Sequence, residues 1–169
     1  MKLTFVDIDI QVVAALRDSF ASFPEVAVLH GDLIAVAENT AVSPANAYGL
    51  MDGGIDAAYS AALPNVERTV RDAIARRPEG LLPLGAAVIV PVSHERIEYV
   101  IAATTMLTPE AVDSSNAYRA MRAVLRLAAQ HPEQVRSIYC PGLCTGIGMV
   151  PAAAAAEAMA AGYRDWLAR

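Results

Sequence analysis

The sequence predicts an α/β fold: a three-layer α/β/α sandwich built on a mostly parallel central sheet. Three observations carry this reading. Short β-prone runs alternate with helix-periodic segments along the chain, the order that parallel strands and crossover helices require. The chain has 169 residues, 55% of them apolar and 18% charged, which suits one core-rich domain. Two glycine-bearing loops, residues 46–54 and 142–150, each follow a strand-like run and precede a helix. No internal repeat and no linker divides the chain, so residues 1–169 read as one domain.

Taken in order, Leu3 to Val6 is the first strand, passing into Asp7-Ile8-Asp9. Asp9 is placed to cap a helix in which Ile10, Val13, Ala14 and Leu16 to Phe20 hold the period, and Phe23-Pro24 ends it. Val26 to Leu29 is a second strand that runs into His30-Gly31-Asp32-Leu33, and Thr40 to Ala45 is a third. Helices are predicted over Gly54 to Leu63 and, started by Pro64, over Asn65 to Arg77, with a turn from Pro78 to Pro83. Ala86 to Val90 and Tyr99 to Ala103 read as strands on either side of a polar link. Ser115 to Ala129 is amphipathic at helical spacing, and Ser137 to Cys140 is a buried strand. After the second glycine loop, Pro151 starts a helix through the alanine run to Trp166, alanine being the best helix former.

Composition excludes several functions. A net charge of −5 disfavours a non-specific grip on nucleic acid, although it leaves room for a nucleotide-like ligand held by backbone amides. No apolar run approaches the roughly 20 residues of a membrane span, and Met1-Lys2 does not lead a signal peptide. The expectation is a soluble, cytoplasmic protein with no membrane partner. Cys140 and Cys144 are too few for a disulfide scaffold, and their spacing without a nearby histidine makes a poor zinc site. Neither a metal nor a cofactor is expected. His30, His94 and His131 sit beside no nucleophile, so a hydrolytic triad is not expected. No G-x-G-x-x-G follows the first strand, and no Walker lysine follows a glycine loop.

The first glycine loop has a chemistry of its own. A strand that ends in a loop with Gly49, Gly53 and Gly54 and feeds a helix leaves unpaired N–H groups at the helix start. The helix dipole adds positive potential there, which suits an anion such as a diphosphate. The bland alternative is a structural turn whose glycines only permit the path. Both loops should rise from one sheet edge, outside the carboxyl ends of the strands, and face each other across a crevice.

Gly31-Asp32-Leu33, Val42-Ser43-Pro44-Ala45-Asn46, Gly53-Gly54-Ile55-Asp56 and Thr145-Gly146 together resemble, in order and spacing, the macro domain family. The resemblance covers about Val26 to the C-terminus, and the S-P-A-N form marks a divergent branch. That family binds ADP-ribose, and some members hydrolyse its derivatives. The resemblance implies that Asp32, with Leu33 beside it, accepts a hydrogen bond from the adenine amino group. Asn46, preceded by Ala45, would bond the terminal ribose. Gly53, Gly54 and Ile55 would form the first phosphate loop. Cys144, Thr145, Gly146, Ile147, Gly148 and Met149 would form the second. Asp56 and Asn46 are then the catalytic candidates, with Asp56 positioning or activating a water.

On this reading Asp56 should lie at the cleft mouth, ionised at neutral pH because the helix start favours its charge. Without the resemblance, Asp56 is a first-turn carboxylate and Asp32 a cap. Two departures from the family pattern stand out. Cys144 replaces the usual serine or glycine, and Met149-Val150 replace glycine and an aromatic. Met149 is expected to cover the sugar instead, and Cys144 to be a small buried or loop thiol rather than a nucleophile.

The family continues past its last helix with another strand and helix, whereas residues 1–24 here supply a strand–acid–helix at the front. The resemblance implies that this segment takes the same slot, as in a circular permutation, with Asp7 to Ile10 near the adenine end. The partner implied is ADP-ribose or an ADP-ribosylated molecule. One reading is a hydrolase acting on ADP-ribose 1″-phosphate or a mono-ADP-ribosyl ester. The others are a reader that only binds, and a binder of another nucleotide-like metabolite.

Overall fold

A computed structural model describes residues 1–169. The first half of the chain runs β1 (Lys2–Asp7), α1 (Ile10–Ser19), β2 (Ala27–His30), α2 (Leu33–Val36), β3 (Asn39–Asn46), α3 (Gly54–Ala62) and α4 (Val66–Ala75). It continues with β4 (Ala87–Pro91), β5 (Ile97–Met106), α5 (Ser115–Gln130), β6 (Ser137–Cys140) and α6 (Ala152–Leu167). The strands form one sheet in the order β2-β1-β6-β3-β5-β4. All neighbours are parallel except β4, which returns antiparallel along β5. β1 is therefore an interior strand, pairing with β2 on one side and β6 on the other.

Alternation along the strands divides the core in two. Leu3 and Phe5 of β1, Val42 of β3 and Ile101 and Ala103 of β5 face a layer made by α1, α5 and α6. Val6, Ala41, Ala45, Val100 and Ala102 face the opposite layer, which holds Leu33, Tyr59, Val66, Val70 and Ile74. Strands buried on both faces are what a parallel sheet needs, and they explain the continuous apolar runs in the sequence.

Each helix buries the stripe that its period predicts. Val13, Leu16 and Phe20 are buried at the end of the chain's first helix–turn unit, and Asp9 caps α1 by accepting from the Gln11 N–H at 2.8 Å. In α5 the buried stripe is Ala117, Ala120, Met121, Val124, Leu125 and Ala128. The alanines of α6 bring it close to α5, and at Gly162 an added Cβ would stand 3.0 Å from the Tyr118 carbonyl oxygen. An aromatic chain then ties the front of the molecule to its last helix. Phe20 lies 4.6 Å from Phe5 and 5.8 Å from Tyr163, ring centre to ring centre, and Phe23 meets Tyr163 edge-on at 5.0 Å.

Three local features depart from the sequence reading. The short α2 has no apolar period to announce it, being a single turn held by the Asp32 cap. Asn65 does not begin α4, because it sits in the left-handed region with φ +59°, and the helix starts at Val66. β5 extends to Met106 because β-branched Thr104 pairs with Ala45 and Met106 with Asn46, with Thr105 the extra residue of an irregularity between them.

Candidate functional site

The carboxyl ends of the parallel strands open onto a cavity of about 510 Å³. β1 delivers Asp7, Ile8 and Asp9 to it, and the turn after β2 delivers Gly31 and Asp32. From β3 come Asn46 and the loop that ends at Gly53-Gly54, from β5 Thr105 and Met106, and from β6 the loop Pro141 to Gly148. Asp7 holds two of these pieces together. One carboxylate oxygen accepts the Asp9 N–H at 2.9 Å and the other the Gly142 N–H at 3.0 Å, so β1 anchors the start of the β6 loop.

The two glycine loops meet across the cavity. A Cβ added at Gly53 would lie 2.6 Å from the Ile147 Cδ1, so the side chain of one loop rests on the bare backbone of the other. In the first loop the N–H groups of Asp52, Gly53, Gly54 and Ile55 have no acceptor within the chain. In the second, the same holds for Cys144 through Gly148, while Met149 and Val150 turn back to the Gly146 and Cys144 carbonyls. Gly148 permits that return, since a Cβ there would meet the Cys144 carbonyl oxygen at 2.7 Å. Two arcs of unpaired backbone donors on opposite sides of one cleft are chemically equipped for an anion with oxygens on both sides.

Asp56 lies in the first turn of α3, on the face that Tyr59 fixes to the sheet through its hydroxyl bond to the Val42 carbonyl at 2.9 Å. Its side chain lines the cavity but is only 6% exposed, and its Oδ1 has no hydrogen-bond partner. Burial pushes its pKa up to about 7, against a smaller opposing effect of the Ser43 hydroxyl. That hydroxyl is close enough to favour the anion yet makes no well-formed hydrogen bond. The expectation of a carboxylate ionised at the cleft mouth is thus corrected: desolvation outweighs the helix dipole, and Asp56 is poised between its two forms at neutral pH.

A model of the Macro domain matches residues 42–159. The chain belongs to the macro domain family. Among relatives, an uncharacterised protein of Aquifex aeolicus is 34% identical over 136 residues, 80% of this chain and 78% of that one. A macro domain-containing protein from the gbd 3′ region of Cupriavidus necator is 33% identical over 150 residues, 83% of this chain and 81% of its own. Among solved structures, the macrodomain of Mycobacterium tuberculosis DarG superposes with a TM-score of 0.70 at 16% identity, over 82% of this chain and 89% of that one. The Oceanobacillus iheyensis macrodomain with ADP gives 0.64 at 22%, covering 79% and 72%. Thermosipho africanus DarTG in complex with ADP-ribose gives 0.63 at 14%, covering 92% and 49%.

In this macro domain, Asp32, Leu33, Asn46, Gly53, Gly54, Ile55, Asp56, Cys144, Thr145, Gly146, Ile147 and Gly148 all line the one cavity. Two expected residues do not. Ala45 points the other way along β3 and is buried in the core beneath α3 and α4. Met149 takes a left-handed backbone, φ +55°, that turns its side chain outward, 75% exposed, so it does not cover the cleft. Asn46 reaches the cavity with most of its amide already engaged. Its Oδ1 accepts from Tyr48 and Leu50, and its Nδ2 donates to the Leu50 carbonyl at 2.8 Å, leaving one N–H.

Asp32 accepts the Ile34 N–H with one oxygen, so cap and cavity roles coexist in one side chain. Cys144 is buried, and desolvation lifts its thiol to about 12, which makes it inert. Sequence reasoning named neither Asp7 as the anchor of the second loop nor Ser43 as the neighbour of Asp56. The alternation of β3, which sets Ser43 on the face of Ala41 and Ala45, was the available signal for the latter.

Proposed function

We propose that this macro domain binds ADP-ribose or a close derivative, with the diphosphate between the two glycine loops, and that Asp56 acts on a water at the terminal ribose. The observation that carries the binding is the pair of facing N–H arcs that meet at Gly53 and Ile147. A diphosphate presents oxygens in both directions and matches them without a cation. The solved macrodomains with ADP or ADP-ribose bound support the same ligand class. For the chemistry, a carboxyl group with a pKa of about 7 and one unpartnered oxygen is suited to take and return a proton at neutral pH. The engaged amide of Asn46 favours the second reading, a module that binds without turnover, because it leaves little hydrogen bonding for the sugar.

Calorimetric titration with ADP-ribose, AMP and NAD tests the binding. ADP-ribose should bind well above AMP, which lacks the second phosphate, and no heat at millimolar ADP-ribose would sink the assignment. Turnover is tested by incubating wild type and Asp56→Ala with ADP-ribose 1″-phosphate and with an ADP-ribosylated protein. Product from wild type alone supports the role of Asp56, and product from both proteins removes it. Product from neither, with binding intact, leaves the reader.

A further inference from the structure

Where β3 passes beneath α3, its small residues are apolar with one exception. Ala41 and Ala45 lie in that layer, and Ser43 stands between them, fully buried. Its hydroxyl is enclosed and bonds to nothing in the chain. A buried hydroxyl without a partner costs free energy, so alanine would serve the packing better here. Beside it, Asp56 has an enclosed carboxylate oxygen in the same condition. Tyr59, one turn further along α3, keeps the two in place by bonding to the carbonyl of Val42, the residue before Ser43. The charges around Asp56 disfavour its anion. Glu67, in the first turn of α4, raises its pKa, and Arg71 of α4 is paired with Glu67. Asp52 in the first loop and Asp7, Asp9 and Asp32 across the cavity carry the same sign, and no lysine, arginine or histidine lines it. β3 and β5 bring only the uncharged Pro44, Asn46, Thr105 and Met106. Among the side chains around Asp56, Ser43 alone favours the charged form.

Resting on the reading that Asp56 acts on a water, we infer that Ser43 is the positioning residue of this carboxylate: its hydroxyl donates to the enclosed oxygen and leaves the other oxygen toward the cavity. Ser43 does not line the cavity, so it touches no ligand and acts only through Asp56. The bond closes as Asp56 gives up its proton, because an anion draws in a donor that a neutral carboxyl leaves slack. With one oxygen tethered from behind, the carboxylate cannot rotate and exchange its oxygens. The free oxygen then keeps one direction for taking a proton from water and returning it. The hydroxyl also limits how far burial lifts the carboxyl, so that both forms are present near neutral pH. Without it the base would exist only in more alkaline solution.

Carbon-13 NMR of the Asp56 side-chain carboxyl, assigned with Asp56→Asn, tests this in the free protein between pH 4 and 10. In wild type the resonance should titrate at about 7. Ser43→Ala should raise that midpoint by about one pH unit, the worth of one hydrogen bond to a charged group. Ser43→Thr keeps the hydroxyl and should titrate as wild type does. At pH 6, where both proteins hold Asp56 largely protonated, Ser43→Ala should bind ADP-ribose within about threefold of wild type. An unchanged or lowered midpoint in Ser43→Ala overturns the inference. So does a Ser43→Thr midpoint as high as that of Ser43→Ala, since packing rather than the hydroxyl is then responsible. Where wild type hydrolyses an ADP-ribosyl substrate, the acid limb of its kcat profile should move upward with the midpoint, and a fixed limb overturns the positioning role. Absence of turnover or of ADP-ribose binding is a separate result that removes the reading underneath, while the titration still decides whether Ser43 holds the carboxylate.

Discussion

At the scale of single residues, Asp56 links stability to pH. In the folded chain it stays protonated up to about 7, whereas in the unfolded chain it ionises near its ordinary 3.8. Between those values the unfolded state holds fewer protons, so the contribution of this residue falls as pH rises through the window and is level above it. At about 1.4 kcal/mol per unit, the cost of ionising it amounts to about 4 kcal/mol. Asp56→Asn keeps the shape and removes the charge. It should therefore be more stable than wild type by a few kcal/mol at pH 8, with the difference vanishing towards pH 4, as measured by urea unfolding across that range. The identity of Asp56 as a site residue was legible from the Gly-Gly-Ile-Asp run. Its burial was not read, because only the i, i+3 partnership with Tyr59 turns that face of α3 to the sheet.

At the scale of elements, the second loop depends on a strand far away in sequence. Asp7 of β1 holds Gly142, and Gly142 has room for no side chain, since a Cβ there would stand 2.5 Å from the Val12 Cγ1 on α1. Gly142→Ala should push that helix and loop apart, costing roughly 1–3 kcal/mol as overpacking does, and thermal unfolding measures it. Asp7→Ala should cost about 1.5–3 kcal/mol for the lost charge-assisted bonds and weaken ADP-ribose binding while leaving the circular dichroism spectrum unchanged. The positions of both loops at one sheet edge followed from strand–loop–helix order alone. The outward turn of Met149 did not, because a left-handed backbone at a methionine has no signature in the sequence. Ala45 was legible in principle, given that neighbours along a strand face opposite ways.

For the whole molecule, the interior position of β1 supports more than a decorative N-terminal arm. We propose that residues 1–24 fill the sheet slot that the family gives to a strand after its last helix. Parallel pairing of β1 with β6 puts the start of β1 at the sheet edge toward which α6 descends, and the contacts of Phe20 and Phe23 with Tyr163 bring α1 against that end of α6. A rearranged chain with residues 1–24 joined behind residue 169 through a short flexible linker should fold and bind ADP-ribose within a few-fold of wild type. Deleting residues 1–24 should instead leave β2 without a neighbour and the β6 loop without Asp7, and the protein should lose cooperative unfolding in calorimetry.

The pairing of Phe5 with Cys140 has a consequence during synthesis. β1 is translated well before β6, one of its two neighbours, with four other strands made between them. Until β6 emerges, β1 and β2 can form only a two-stranded parallel ribbon, with the β6 side of β1 bare, too small to be stable alone. Closing a sheet through contacts so distant along the chain is slow, and the exposed strand edge invites pairing with other chains meanwhile. The cleft itself, which the loop after β6 helps to line, comes into being only once that loop has followed β6 into place.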